Sequence, residues 1–136
     1  MIQLAPYLYF GGNCEEALNF YKECLGGSIS DLHRYEGSPM EQQAGGGQKN
    51  KIMHSTFTFD GGTFMASDSS GQHPVSSDGN LALSIGLDDA KRAERIFAAL
   101  SAGGHVTMPF EKQFWGAKFG MFKDRYGIAW MINCGG

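Results

Sequence analysis

The chain carries one plan twice, and that repeat limits the folds open to it. An aromatic and branched stretch, IQLAPYLYF at 2–10, reads as a strand and is ended by GGN. Asn13 then suits a helix N-cap, with Glu16 three residues on as in a capping box. Cys14, Ala17, Leu18, Tyr21, Cys24 and Leu25 recur at helical spacing and share a face. Gly26-Gly27 supplies a left-handed stop. SISDLHRY is a second strand; KIMHSTFTFD and TFMASD are two more, joined at DGG. The order then starts again. NLALSIGL is a strand, and Asp88-Asp89 caps a helix with Ala93, Ile96, Phe97 and Leu100 on one face. Gly103-Gly104 stops that helix, and HVTMPF, AKFGMFKD and IAWMIN follow, the last two closed around DRYG. The first elements repeat at an offset of about 77 residues. The closing hairpins repeat at about 65, with Gly62 set against Gly127. The glycine-rich stretch 37–50, absent from the second half, reads as a loop and accounts for most of the difference.

A β-α-β-β-β order, twice, implies an α+β chain of one domain over 1–136. Its first module runs over about 1–70 and its second over about 80–136. One helix covers one face of a four-stranded sheet and leaves the other bare. Two such sheets are expected to cover each other or curl round a shared cavity lined by alternate strand residues. On the first strand Tyr7 and Tyr9 alternate with Leu8 and Phe10, so one pair faces inward and the other packs on the helix. Along AKFGMFKD, Phe119, Met121 and Lys123 face one way, and Lys118, Gly120 and Phe122 the other.

Charge and cysteine usage exclude several functions. The formal net charge is −3, and the densest basic run, DDAKRAERIF, alternates with acids as on a solvated helix face. Nucleic acid is therefore not an expected partner. No apolar run approaches the roughly 18–20 residues of a membrane span, and the first residues do not read as a signal peptide. Cys14, Cys24 and Cys134 form no close pair, which fits free thiols in a reducing, cytoplasmic setting.

Four stretches, PYLYFGGNCEEALNFYKECLGG, MHSTFTFDGGTFMASD, FAALSAGGHVTMPFEKQFWG and FGMFKDRYGIAWMIN, cover most of the chain. In order and spacing they resemble the vicinal oxygen chelate superfamily of glyoxalase I, extradiol dioxygenases and bleomycin-resistance proteins. The nearer resemblance is to its PhnB-like, or 3-demethylubiquinone methyltransferase-like, branch. The resemblance implies two βαβββ modules, a homodimer and a pocket for a small organic molecule. Metal enzymes of the superfamily hold a divalent ion with one residue from the first and one from the last strand of each module. Carried over, those positions fall at Pro6, Met65, Asn80 and Trp130. None of these is a His or a carboxylate, so no metal is expected at the usual positions and no cofactor is expected. The G-x-G turn with a following acidic residue, the usual mark of a nucleotide-like cofactor site, is not in the sequence either.

Candidate site residues remain. His54, on a central strand, is either a general base or hydrogen-bond donor facing the cavity, or a strand-end histidine satisfied by backbone. Asp68 either caps a turn or, on the adjacent strand, approaches His54 and orients its imidazole. Trp115 is a pocket rim or core packing. Trp130, at a ligand position, is expected to point into the cavity and partly fill it, with Tyr7, Tyr9 and Phe119 as further aromatic lining. Glu111 and Lys112 sit either at the mouth or in a solvated loop, and His33, His73 and His105 read as surface residues. Two main classes follow. One is a metal-free small-molecule-binding protein with an aromatic pocket. The other is a lyase, isomerase or dioxygenase using His54 or a non-standard divalent metal site. A weaker third is an interaction protein with a degenerate pocket.

Overall fold

The computed structural model describes residues 2, 4–37, 50–69 and 80–135. Most of the 37–50 stretch and His73 lie outside them. The chain divides into two compact units, Met1–Val75 and Ser76–Gly136.

The first unit contains β1 (Tyr7–Phe10), α1 (Cys14–Leu25), β2 (Ser28–Arg34), β3 (Ile52–Phe59) and β4 (Gly62–Asp68). The sheet order is β1-β4-β3-β2; β1 runs parallel to β4 and the other pairs are antiparallel. Of the expected helical face, Cys14, Ala17, Leu18, Tyr21 and Leu25 are buried, and Cys24 at its edge is half-buried. Tyr21 meets Phe57 and Phe64 edge-on at 6.4 and 6.0 Å, and those two rings stack at 5.1 Å. Each such side chain contributes roughly 1.5–3 kcal/mol by leaving water. Gly26 and Gly27 serve different ends. Gly26 takes the left-handed cap at φ 78° and donates to the Lys22 carbonyl at 2.8 Å. At Gly27 a Cβ would lie 2.6 Å from the Thr58 carbonyl oxygen.

Two expectations are corrected here. Asn13 makes no side-chain cap bond; Asp68, from the far end of β4, accepts from Gly12 N and Cys14 N instead. The first strand spans four residues, not nine, because pairing fades at Pro6, whose carbonyl accepts from Met65 N at 2.9 Å and which has no N–H to continue the ladder.

The second unit contains β5 (Leu83–Leu87), α2 (Ala90–Ser101), β6 (His105–Lys112), β7 (Lys118–Lys123) and β8 (Ala129–Cys134), in sheet order β5-β8-β7-β6. Asp89 caps α2 by accepting from Arg92 N at 3.1 Å. Phe97 of α2 packs on Phe110 and Phe122 at 5.3 and 5.0 Å. Gly120 is the seat of that ring: a Cβ there would lie 2.6 Å from Phe97.

The second closing hairpin is one residue longer than the first. Tyr7 pairs with Met65, and its counterpart Ser84 pairs with Met131. Met65 to Met131 is therefore an offset of 131 − 65 = 66, not 65. Gly62 and Gly127 are not equivalents. Gly62 is a strand residue opposite Phe59, whereas Gly127 sits in the turn at φ 88°.

Cys14 is fully buried beside Ser55 and Asp68. Burial, then the Asp68 charge, push its thiol from 9.0 up to about 12. The protonated thiol is thus the form the fold prefers. Below pH 9 both folded and unfolded chains carry the proton and the preference costs nothing. Between pH 9 and about 12 the unfolded chain loses it first, and stability falls by up to about 1.4 kcal/mol per pH unit. Urea midpoints measured from pH 7 to 11 are expected to fall more steeply in the wild type than in Cys14→Ala; equal slopes would remove this account.

Candidate functional site: the uncovered face of the first sheet

On the first sheet the side chains divide between two faces, although Ser67, on the face away from α1, is also buried. Ser55, Phe57, Phe64, Ala66 and Asp68 turn toward α1 and are buried. Tyr7, Tyr9, His54 and Met65 project from the other face. Their exposure ranges from half-buried to 59% for Tyr9. The Tyr7 and Tyr9 rings are 5.0 Å apart, and the Tyr7 and His54 rings 6.0 Å apart. Tyr7 Oη lies 3.4 Å from His54 Nδ1. His33 of β2 stands opposite His54 in the strand register.

His54 and Asp68 are not brought together. Ser55 pairs with Ala66, so residues 54 and 67 are opposite each other and Asp68 projects to the helix side. There its Oδ1 accepts from Gly12 N and Cys14 N at 3.0 and 2.9 Å, and its Oδ2 from Ile52 N at 2.9 Å. Tyr35 donates its hydroxyl to the Asp68 carbonyl at 2.9 Å, and burial followed by the Asp68 charge raises the Tyr35 phenol. Asp68 pins the start of α1 to β3 and β4. A cleft of about 440 Å³ opens beside it, lined by Asn13, Glu16, Asn19 and Lys51 among others. Its floor is committed: the Asp68 oxygens hold three amides, and Lys51 Nζ donates to the Gly12 carbonyl.

In the second unit Trp130 faces the helix, not the uncovered side. It sits opposite Phe122, is 2% exposed and donates its indole N–H to Asp124 Oδ2 at 2.8 Å. The one-residue offset of the hairpin explains the difference from expectation, and Met131 takes the other face. Trp115 lies in the β6–β7 turn, 51% exposed, between Phe114 at 4.9 Å and Phe119 at 6.1 Å. Trp115 and Phe119 are thus together, with exposed Phe114 against the indole and Phe119 itself half-buried. Glu111 and Lys112 are exposed at the end of β6, and His33 and His105 are exposed as expected.

The strand pairing also revises the four inherited metal positions. Pro6 and Asn80 precede β1 and β5, and Trp130 faces α2. The residues that pair across first and last strands on the uncovered faces are Tyr7 with Met65 and Ser84 with Met131. Neither pair, a phenol with a thioether or a hydroxyl with a thioether, supplies the His or carboxylate that zinc, iron or manganese prefer. Among the described residues no group of three or more His, Cys, Asp or Glu converges. A nucleotide-like methyl donor does not fit the Gly11-Gly12 turn either, because the Gly12 and Cys14 amides that would meet an anion already bond Asp68.

These two mixed sheets, each with one helix, define a protein of the glyoxalase/bleomycin-resistance/dioxygenase fold. The chain is similar to a glyoxylase/bleomycin resistance protein/dioxygenase domain from Frankia sp. EAN1pec, with a TM-score of 0.67 at 15% identity over 100% of this chain and 93% of that one. Within that class the chain belongs to the 3-demethylubiquinone-9 3-methyltransferase family, whose model matches residues 2–133. It is similar to protein PA1353 from Pseudomonas aeruginosa, at 40% identity and a TM-score of 0.88 over 98% of both chains. It is 29% identical to protein YjdN of Escherichia coli K12, over 96% of this chain and 93% of that protein.

Of the residues singled out from sequence, the structure groups Tyr7, Tyr9 and His54 in one set and Trp115 and Phe119 in another. Sequence reasoning missed Asp124, which organises the DRYG turn, and Met131. The turn-forming aspartate of DRYG was a usable signal for the first; nothing in sequence marked the extra residue that selects the second.

Proposed function

We propose that the protein binds a small organic molecule with an aromatic or apolar part on the uncovered face of the first sheet, and does so without a metal ion. The observation that carries this is the Tyr7–Tyr9–His54 set: two rings 5.0 Å apart, one of them mostly exposed, beside a hydrogen-bonded imidazole. A planar ligand stacking on an exposed tyrosine gains about 0.5–1.5 kcal/mol beyond the area it covers. The donor chemistry of Tyr7, Met65, Ser84 and Met131 supports the metal-free form of the reading. Methyl transfer, named in the family description, draws no support from the turn before α1, and fold by itself does not fix chemistry. The three free cysteines are consistent with a reducing, cytoplasmic setting, and a homodimer belongs to the same reading.

An aromatic fragment set titrated into the protein, with the tyrosine ring signals followed by NMR, tests the proposal. Binders are expected to shift Tyr7 and Tyr9 and to lose about tenfold in affinity in Tyr9→Ala. Affinity is expected to be the same with chelator or with added zinc or manganese. Binding that appears only with metal would overturn the metal-free reading; fragments that leave both tyrosines unmoved would overturn the site.

A further inference from the structure

The Tyr7–His54 contact says more about the ligand than that it is aromatic. Among the described residues His54 Nδ1 is the one hydrogen-bond partner of Tyr7 Oη. If Nδ1 carried the proton, the phenolic hydrogen would have no acceptor among the described residues. If Nδ1 is bare, the hydroxyl donates to it and the pair is satisfied. A neutral imidazole has one donor and one acceptor nitrogen, so its remaining proton then sits on Nε2. The ring is tilted 39° to Tyr7, and Nε2 lies on the edge away from Nδ1, on a face where His54 is only half-buried.

We infer that the site takes a planar aromatic molecule bearing an oxygen acceptor, a carboxylate or a conjugated carbonyl, which stacks on Tyr9 and receives the Nε2–H of His54. This rests on the binding reading above and narrows it. The tyrosines supply a surface for a ring, and the hydroxyl of Tyr7 sets which hydrogen-bonding sign the imidazole offers. A ligand bringing only donors would find Nε2–H opposed to them. His33, opposite His54 in the register, places a second imidazole on the neighbouring strand.

The test uses the whole chain, the probes benzoate, acetophenone and benzylammonium, and NMR of the histidine ring nitrogens. Three results are expected. The proton of neutral His54 resides on Nε2. Benzoate and acetophenone shift the Tyr9 and His54 signals. Benzoate binds about tenfold or more tightly than benzylammonium, in keeping with a hydrogen bond to a charged group. That preference is expected to collapse in His54→Leu. It is expected to shrink in Tyr7→Phe, where the ring remains but the hydroxyl that sets the tautomer is gone. A proton on Nδ1, or equal affinity for the three probes at Tyr9 in wild type and His54→Leu alike, overturns this inference and leaves the binding site standing. Probes that shift neither tyrosine remove the site itself and the inference with it.

Discussion

Replacing Asp68 with alanine is expected to destabilise the first unit by about 3–5 kcal/mol, one of the two largest effects of any single change considered for this chain. The carboxylate is 2% exposed and holds three backbone donors, Gly12, Cys14 and Ile52, all at 3.0 Å or less. Alanine leaves those N–H groups facing a void, and each buried unsatisfied donor costs roughly 1–3 kcal/mol. The carboxylate also sits at the N-terminus of α1, where its charge meets the positive end of the helix dipole. Against this, removing a buried charge relieves its desolvation, which keeps the expected loss below the sum of the parts. Against a total domain stability of about 5–15 kcal/mol, such a loss takes much of the chain out of the folded state at physiological temperature. Asparagine separates the two contributions. Its Oδ1 still accepts from Gly12 and Cys14, but its amide nitrogen turns a donor toward Ile52 N, so the expected loss is about half that of alanine. Urea denaturation gives both values, and hydrogen exchange at the Cys14 and Ile52 amides locates them. An alanine variant within about 1 kcal/mol of wild type would show that Asp68 does not hold the α1 start. A normal unfolding midpoint with altered ligand binding would give Asp68 a role in binding rather than in holding the fold.

The contrast between Asp68 and His54 shows where sequence was informative. Strand alternation assigned the faces well: Phe119 and Gly120 lie on opposite sides of β7, and Tyr7 and Tyr9 share one side of β1, as period two demands. The α1 face was legible because Cys14, Ala17, Leu18 and Tyr21 repeat every three or four residues and bury together. What alternation does not carry is register between distant strands. The Tyr7–His54 contact spans 47 positions and the Asp68–Gly12 bond spans 56. Both depend on β1 pairing in parallel with β4, which no local pattern announces. Trp130 was assigned to the wrong face for a related reason. One additional residue in the Asp124–Ile128 turn shifts every later side chain by one, and a shift of one exchanges the two faces of a strand. Asn13 erred the other way. Its local signal was sound, but a carboxylate arriving from β4 took the donors an asparagine cap would have served.

The counterpart in the second unit is Asp124, and its loss is expected to cost about 3–4 kcal/mol. It is 4% exposed and accepts from Tyr126 N at 2.8 Å, Ile128 N at 3.0 Å and the Trp130 indole N–H at 2.8 Å. One carboxylate therefore closes the turn and satisfies the only polar atom of a buried indole. Trp130→Phe keeps the ring on the helix face opposite Phe122 but removes the N–H, so Asp124 keeps its two turn amides; the expected loss is about 1–3 kcal/mol, from lost volume and one hydrogen bond. The two changes share a bond, so they are expected to be non-additive. Asp124→Ala in the Trp130→Phe background should cost about 1 kcal/mol less than in wild type, because no indole donor is left stranded. Urea midpoints of the four proteins give the coupling directly. Additivity within about 0.3 kcal/mol would mean that the indole bond contributes nothing to stability. Trp130 fluorescence supplies a further check. A buried indole held by Asp124 is expected to resist acrylamide quenching in wild type and to become accessible in Asp124→Ala, whereas half-exposed Trp115 is quenched in both.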